Sequence, residues 1–346
     1  MTVTMKNTQF YSLTEIKLNN FSTSKAIQPS QTNQMATMMT PKTFTLGQKT
    51  QWMKHLDEHG YVVLRNAITK KDAQKTKKLF GDDMKKIAPG FDIDDPTTFT
   101  GNNLPIVMGK GSATHLGMGQ GDAVWYARLN SKTKAAYSAI YGTDELAVAL
   151  DGAALVVSHK QQSPPWEHQD QNPADTRVSV QGILNLLPCG ENDAGFICVP
   201  GSHLTYTPPK EQMDKLKSYT DWLPVPDDAP IKRQTVKLLT PERCLILFHS
   251  KTVHANKPMT KPAPPGVNRL SFYITFGPKS RQTPEIVQRR KEGYMKGETT
   301  SHWIDRHEVK KLPFHLTAKF RKAGFTPLQP RLTAEGEIPP ERAALL

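Results

Sequence analysis

No apolar run in this chain approaches the roughly 20 residues that a helix needs to cross a bilayer, so a helical membrane protein is not expected. The N-terminus lacks an apolar signal core, so export is not expected either. The first 40 residues contain no arginine, in which a transit peptide would be rich, and the chain's last residues are not a peroxisomal Ser-Lys-Leu address. Cysteine is scarce. Cys189, Cys198 and Cys244 are odd in number and lack zinc spacing, which argues against a disulfide framework or a zinc site. Cys198 and Cys244 lie in apolar runs and read as buried thiols. A reducing, intracellular setting is expected, the cytoplasm by default. Acidic residues are also in deficit: 32 Asp and Glu stand against 45 Lys and Arg, a net charge of +13. That balance favours an acidic small molecule or nucleic acid as partner. The basic residues cluster at 70–86 and 281–321 without interleaved aromatics or a nucleic-acid fingerprint. A small, acidic substrate is therefore preferred to nucleic acid, and no membrane partner is expected.

Organisation follows from periodicity. Residues 1–45 are polar and rich in Thr, Ser, Asn, Gln and Met, and read as a flexible leader. Leu46, Trp52, Met53 and Leu56 recur at helical period over 46–59, Gly60 stops the helix, and 61–64 reads as a strand. Thr69 is a fitting N-cap for a Lys-rich helix to about residue 87. Residues 88–124 look like loops, and 131–140 returns to helix. From 147 onward, seven short apolar or alternating runs (147–150, 153–157, 178–187, 196–199, 234–239, 244–248 and 270–276) are separated by turn residues. This pattern predicts an antiparallel sandwich or barrel with helices packed around it. The main domain is placed at 46–278. Residues 279–346 form a charged extension, helical and then Pro-rich, packed on or beside that domain.

One cluster carries chemistry. His168 and Asp170 stand two apart after the turn-rich segment 161–165, where a strand edge would face both side chains the same way. A lone His-x-Asp is weak, and a second copy, His55 and Asp57, lies inside the first helix, where i and i+2 diverge. His254 follows the apolar strand 244–249 on a short loop. His249, at that strand's end, is the rival and reads better as a core histidine bonded to backbone. Two imidazoles and one carboxylate hold a non-haem Fe(II) on one face and leave the other open. Arg269 and Ser271 share one face of the next strand. An inward arginine needs an anion, and a dicarboxylate co-substrate would supply it. The competing reading is an internal salt bridge. If the four residues converge, the chain is an oxygenase that uses iron and 2-oxoglutarate.

The resemblance extends further. Gly60-Tyr-Val-Val-Leu-Arg65, Val156-Val-Ser-His-Lys160, His168-Gln-Asp170, Gly195-Phe-Ile-Cys-Val-Pro-Gly-Ser-His203, Leu247-Phe-His-Ser-Lys-Thr-Val-His254 and Asn268-Arg-Leu-Ser271 together resemble the phytanoyl-CoA dioxygenase family over about 46–278. The resemblance implies a mixed α/β fold with a central double-stranded β-helix, a jelly-roll or cupin-like barrel, flanked by helices. It implies Fe(II) bound by His168, Asp170 and His254, and 2-oxoglutarate bound by Arg269 and Ser271, with Lys160 and Gln181 as further co-substrate contacts. O₂ would be the second co-substrate. Gln181 stands where the phytanoyl-CoA enzymes carry a tryptophan, which argues against phytanoyl-CoA as substrate. The intact Asp170 favours hydroxylation over halogenation. The expected function is a dioxygenase that hydroxylates a small organic substrate and releases succinate and CO₂. The alternatives are a non-catalytic β-barrel binding protein with a relic metal site, and an oxygenase directed at nucleic acid. Substrate identity and oligomeric state are not legible.

Overall fold

The computed structural model describes residues 36–106, 111–158, 163–214 and 221–346. Two sheets face each other. The larger has seven strands in the order Thr43–Phe44, Tyr61–Leu64, Cys244–His249, Val180–Asn185, Val267–Tyr273, Ala153–Val157 and Ser112–Ala113. The smaller has six, in the order Thr37–Met39, Val236–Leu238, Gly195–Cys198, His254–Lys257, His168–Gln169 and Leu223–Pro224. Pairing is antiparallel except where Thr37–Met39 and Thr43–Phe44 join their sheets in parallel. A further pair, Leu146–Val148 with Phe276–Pro278, lies apart. This is the expected β-helix sandwich.

Strand alternation builds two cores. Val62, Leu64, Leu184, Leu245, Leu247, Leu270 and Phe272 face outward into the main core, which includes Trp52 and Leu56 of helix Lys49–His59 and Phe80, Met84 and Ile87 of helix Lys70–Ile87. Their neighbours Tyr61, Val63, Ile183, Cys244, Ile246 and Phe248 face inward and meet Phe196 and Cys198 of the smaller sheet. Each fully buried large apolar side chain contributes about 1.5–3 kcal/mol, and a one-residue slip would turn every one of them the wrong way. The register is therefore fixed, and with it the direction in which Gln181, Arg269 and Ser271 point.

Gly60 ends the first helix at φ 74°, its N–H donating to the Leu56 carbonyl at 2.8 Å. A Cβ there would sit 2.5 Å from His203 Nδ1 and 2.6 Å from Thr252 Oγ1. Both the backbone and the space demand glycine. Thr69 caps the second helix, accepting from the Asp72 N–H at 3.0 Å.

Two expectations need adjustment. Residues 1–35 of the proposed leader lie outside the described residues, but residues 37–39 and 43–44 are already sheet strands, so the leader does not extend to 45. The stretch 88–124 is not all loop, since Asp122–Arg128 is a helix buried on Trp125 and Arg128. Its first turn is met by Asp83, which accepts from the Ala123 N–H at 2.9 Å. The segment after 278 shares the main core, to which Tyr294, Leu328, Leu345 and Leu346 belong. Among the described residues no helix is long and apolar enough to cross a membrane.

Candidate active site

The smaller sheet brings the two histidines together. His254 pairs directly with His168 across the antiparallel strands, and their ring centroids are 4.4 Å apart. Asp170 follows strand His168–Gln169 and turns back between the rings. Its Oδ1 lies 3.4 Å from His168 Nε2 and its Oδ2 lies 3.4 Å from His254 Nε2. One ligand atom from each residue lies within 4.8 Å of the others, a group that could hold a metal ion. His168 Nδ1 is 2.7 Å from the Trp166 carbonyl and His254 Nδ1 is 2.9 Å from the Thr252 carbonyl. A carbonyl can only accept, so both Nδ1 atoms carry a proton, and both Nε2 atoms face the centre, where each can hold a second proton beside Asp170 or give its lone pair to a metal. Such bonds orient metal-binding imidazoles.

The larger sheet supports the carboxylate. Gln181 Nε2 donates to Asp170 Oδ2 at 2.9 Å and also reaches Ser250 Oγ at 3.3 Å. Ser250 Oγ in turn lies 2.8 Å from Ser179 Oγ, and its backbone carbonyl accepts from the Asp170 N–H at 2.8 Å. Burial pushes the Asp170 carboxyl up, but the positive fields of His168 and His254, with a hydrogen bond from the latter, hold it well below the usual carboxylate range. Asp170 is thus an anion, as a ligand must be. Gln181, expected at the co-substrate, sits instead against the carboxylate.

Arg269 and Ser271 point into the barrel from one face of their strand. Arg269 is 5% exposed. Its Nε donates to Ser271 Oγ at 2.9 Å and its Nη1 to Asn256 Oδ1 at 2.6 Å, while Nη2 is buried with no partner. No carboxylate pairs with it among the described residues, which removes the salt-bridge reading. A buried guanidinium with an unused nitrogen is costly, and an anion bound there would relieve it. The residues fit a dicarboxylate co-substrate. Lys160 lies outside the described residues. His249 points away from Phe248 and the centre. It stacks on His203 at 4.8 Å, and burial, with His203 and Lys251 nearby, lowers its pKa to about 4. All three cysteines are buried and free.

Beside the metal group lies a cavity of about 510 Å³. Ser112, Thr114, Gln181 and the tail residues His302 and Trp303 line it. Asp151, Trp166, Asp221, Trp222, Tyr273, Glu308 and Lys310 also line it, and sequence reasoning missed them. Lys310 pairs with Asp151 at 2.6 Å. Trp222 is 51% exposed at the cavity. Most of them are aromatic or acidic residues in loop-like sequence, Tyr273 ends a strand and Lys310 is basic, so no shared local pattern marks them.

Comparisons with known proteins agree with this geometry. A fungal relative, "Ava biosynthesis cluster protein O" of Aspergillus versicolor, is 32% identical over 154 residues, 44% of this chain. The match spans 50% of that relative's length. Among solved structures, the carbocyclase SnoK from nogalamycin biosynthesis matches with a TM-score of 0.48 and 15% identity over 68% of this chain and 87% of its own. HygX from Streptomyces hygroscopicus, with nickel and 2-oxoglutarate bound, matches with a TM-score of 0.43 and 13% identity over 66% of this chain and 86% of its own. At TM-scores below 0.5 these likenesses add nothing to the topology already described. The profile of the family "Phytanoyl-CoA dioxygenase (PhyH)" matches residues 56–260, more than half of the chain and both histidines and the carboxylate of the metal group. The chain belongs to the phytanoyl-CoA dioxygenase family.

Proposed function

We propose that this enzyme hydroxylates a C–H bond of a small organic molecule held in the 510 Å³ cavity, with succinate and CO₂ as co-products. His168, Asp170 and His254 hold Fe(II), and Arg269 with Ser271 holds the far carboxylate of 2-oxoglutarate. When bound, the iron and 2-oxoglutarate supply the oxidising chemistry: one oxygen atom of O₂ ends in succinate and the other in the new hydroxyl. The observation that carries the reading is the convergence of three ligand atoms within 4.8 Å, with both imidazole Nδ1 protons already committed to backbone carbonyls.

The chain's own residues orient and shield. Gln181 and Ser250 hold Asp170 in place, so the carboxylate does not swing away from the centre. Phe196, Phe248, Trp166 and Trp222 wall the cavity and limit water beside the reacting carbon. The intact Asp170 favours hydroxylation. The lining also revises the substrate's charge. Among the described lining residues Lys310 is the one Lys or Arg and is paired with Asp151, Asp221 is paired with Arg306, and Asp170 belongs to the metal group, so the wall has no unpaired Lys or Arg to offer an acid. A neutral or cationic molecule fits this wall better than the acidic one that the net charge suggested. A phosphate-rich acyl carrier would meet no unpaired cation among those residues.

The test is an anaerobic titration of apo-protein with Fe(II) and 2-oxoglutarate, followed by the weak visible charge-transfer absorption of the chelate. The band is expected in wild type and absent from His168→Ala and His254→Ala. A folded, iron-loaded protein without the band would instead favour a barrel that binds without catalysing.

A further inference from the structure

The family match ends at residue 260, yet part of the cavity wall comes from the segment around 301–310. Ion pairs tie this segment down. Arg177 pairs with Asp305 and Arg306 with Asp221, and the Trp303 ring lies beside both guanidiniums, 5.5 Å from that of Arg177 and 4.6 Å from that of Arg306. The indole is 4% exposed, so the ring is fixed rather than free to rotate.

Two adjacent side chains on this wall have an unused nitrogen. Trp303 Nε1 and His302 Nε2 are both buried, and neither has a hydrogen-bond partner. An indole N–H can only donate. A neutral imidazole has one N–H, and the tautomer that carries it at Nε2 makes His302 a second donor. Leaving such donors unsatisfied costs about 1–3 kcal/mol each, and native proteins rarely place two side by side without use. Both residues line the cavity that also holds the metal ligands.

We propose that His302 and Trp303 are the substrate-positioning residues of this enzyme, donating to a carbonyl or similar oxygen on a neutral aromatic substrate whose ring lies among the cavity's tryptophans. This rests on the proposed function, since it is the metal that gives the position its meaning. An oxygen acceptor held by two fixed donors sets which carbon faces the metal, and the aromatic walls of Trp166 and Trp222 suit a flat body. The volume is that of a site for a small molecule, not for a chain or polymer.

The probes are acetophenone and ethylbenzene, nearly equal in shape and different in the carbonyl alone. Mn(II) with 2-oxoglutarate fills the centre, and the paramagnetic relaxation of each fragment's protons reports binding near it. Wild type is expected to bind acetophenone about tenfold more tightly than ethylbenzene, the worth of one good hydrogen bond. Trp303→Phe, which keeps a ring beside the two arginines, should bring that ratio down to about two and leave ethylbenzene unchanged. His302→Leu should do the same, and His302→Gln, which restores a donor, should recover most of the preference. Equal binding of the two fragments by wild type, no binding of either, or an unchanged ratio in both Trp303→Phe and His302→Leu would each overturn the proposal. Protein that does not take up Mn(II) at all overturns the proposed function and this inference with it. Mn(II)-loaded protein that fails to discriminate overturns this inference alone.

Discussion

Arg269→Met separates a co-substrate anchor from a structural arginine. Methionine keeps much of the length and apolar volume and removes the charge. In the apo protein the substitution strips Ser271 Oγ and Asn256 Oδ1 of their donors, at about 1 kcal/mol each. It also abolishes a buried cation with an unpartnered nitrogen, which offsets a similar amount. The apo melting temperature should therefore stay within a few degrees of wild type. Binding of 2-oxoglutarate should suffer far more. Losing a charged, two-pronged contact with a carboxylate costs about 3–5 kcal/mol, or about two to three and a half powers of ten in Kd. The assay is thermal unfolding under anaerobic conditions with Mn(II), with and without 2-oxoglutarate at about 100 times the wild-type Kd. Wild type should gain about 2.7 kcal/mol, a rise of about 5 °C, and the variant less than about 1 °C. A full 2-oxoglutarate shift in Arg269→Met would refute the anchor. A fall of more than about 10 °C in the apo protein would mean that the guanidinium serves the fold.

Gln181→Leu removes the side-chain donor to Asp170 Oδ2 and should weaken Fe(II) binding by about 10- to 100-fold with little change in folding, measured by competition with a chelator. Gly182→Ala should destabilise by about 2–3 kcal/mol in urea unfolding, because its Cβ would lie 2.4 Å from the Tyr137 hydroxyl and 2.5 Å from the Ile274 carbonyl. His249 has a folded pKa of about 4, below its unfolded value near 6.5, so the unfolded chain takes the proton first as pH falls. Its stabilisation is complete above pH 6.5 and drains away as pH drops from there toward 4. His249→Phe should keep the packing on His203, match wild type at pH 7, and be more stable by about 2 kcal/mol at pH 4.5. Equal acid sensitivity of the two proteins would contradict this.

What the sequence disclosed follows from how far each signal extends along the chain. Residues 153–157, 180–185 and 244–249 are long enough for an apolar run between turn residues to show, and helix Lys70–Ile87 has both period and cap. His168 and Asp170 could be read together because a period-two spacing holds at a strand edge, and Arg269 with Ser271 for the same reason. Strands of two or three residues, such as Thr43–Phe44 and Leu223–Pro224, have no periodicity to read and exist only because a neighbour's edge is unpaired. The role of Gln181 was also hidden. Its proximity to Asp170 depends on sheet-to-sheet packing, which no local pattern encodes. The same holds for Asp151 and Lys310, 159 residues apart in sequence and 2.6 Å apart in space.

The order of the pieces along the chain has a consequence for synthesis. A ribosome finishes all three metal ligands by residue 254 and the Arg269 anchor shortly after, but the wall at 301–310 and the core residues Leu345 and Leu346 come last. Because chains tend to fold from the N-terminus as they emerge, the nascent protein passes through a stage able to capture metal before it has a complete cavity or a closed core. Iron caught at that stage would have oxidising power without a substrate-shaped enclosure. Iron that arrives only after the wall at 301–310 has packed would meet its ligands inside a finished enclosure.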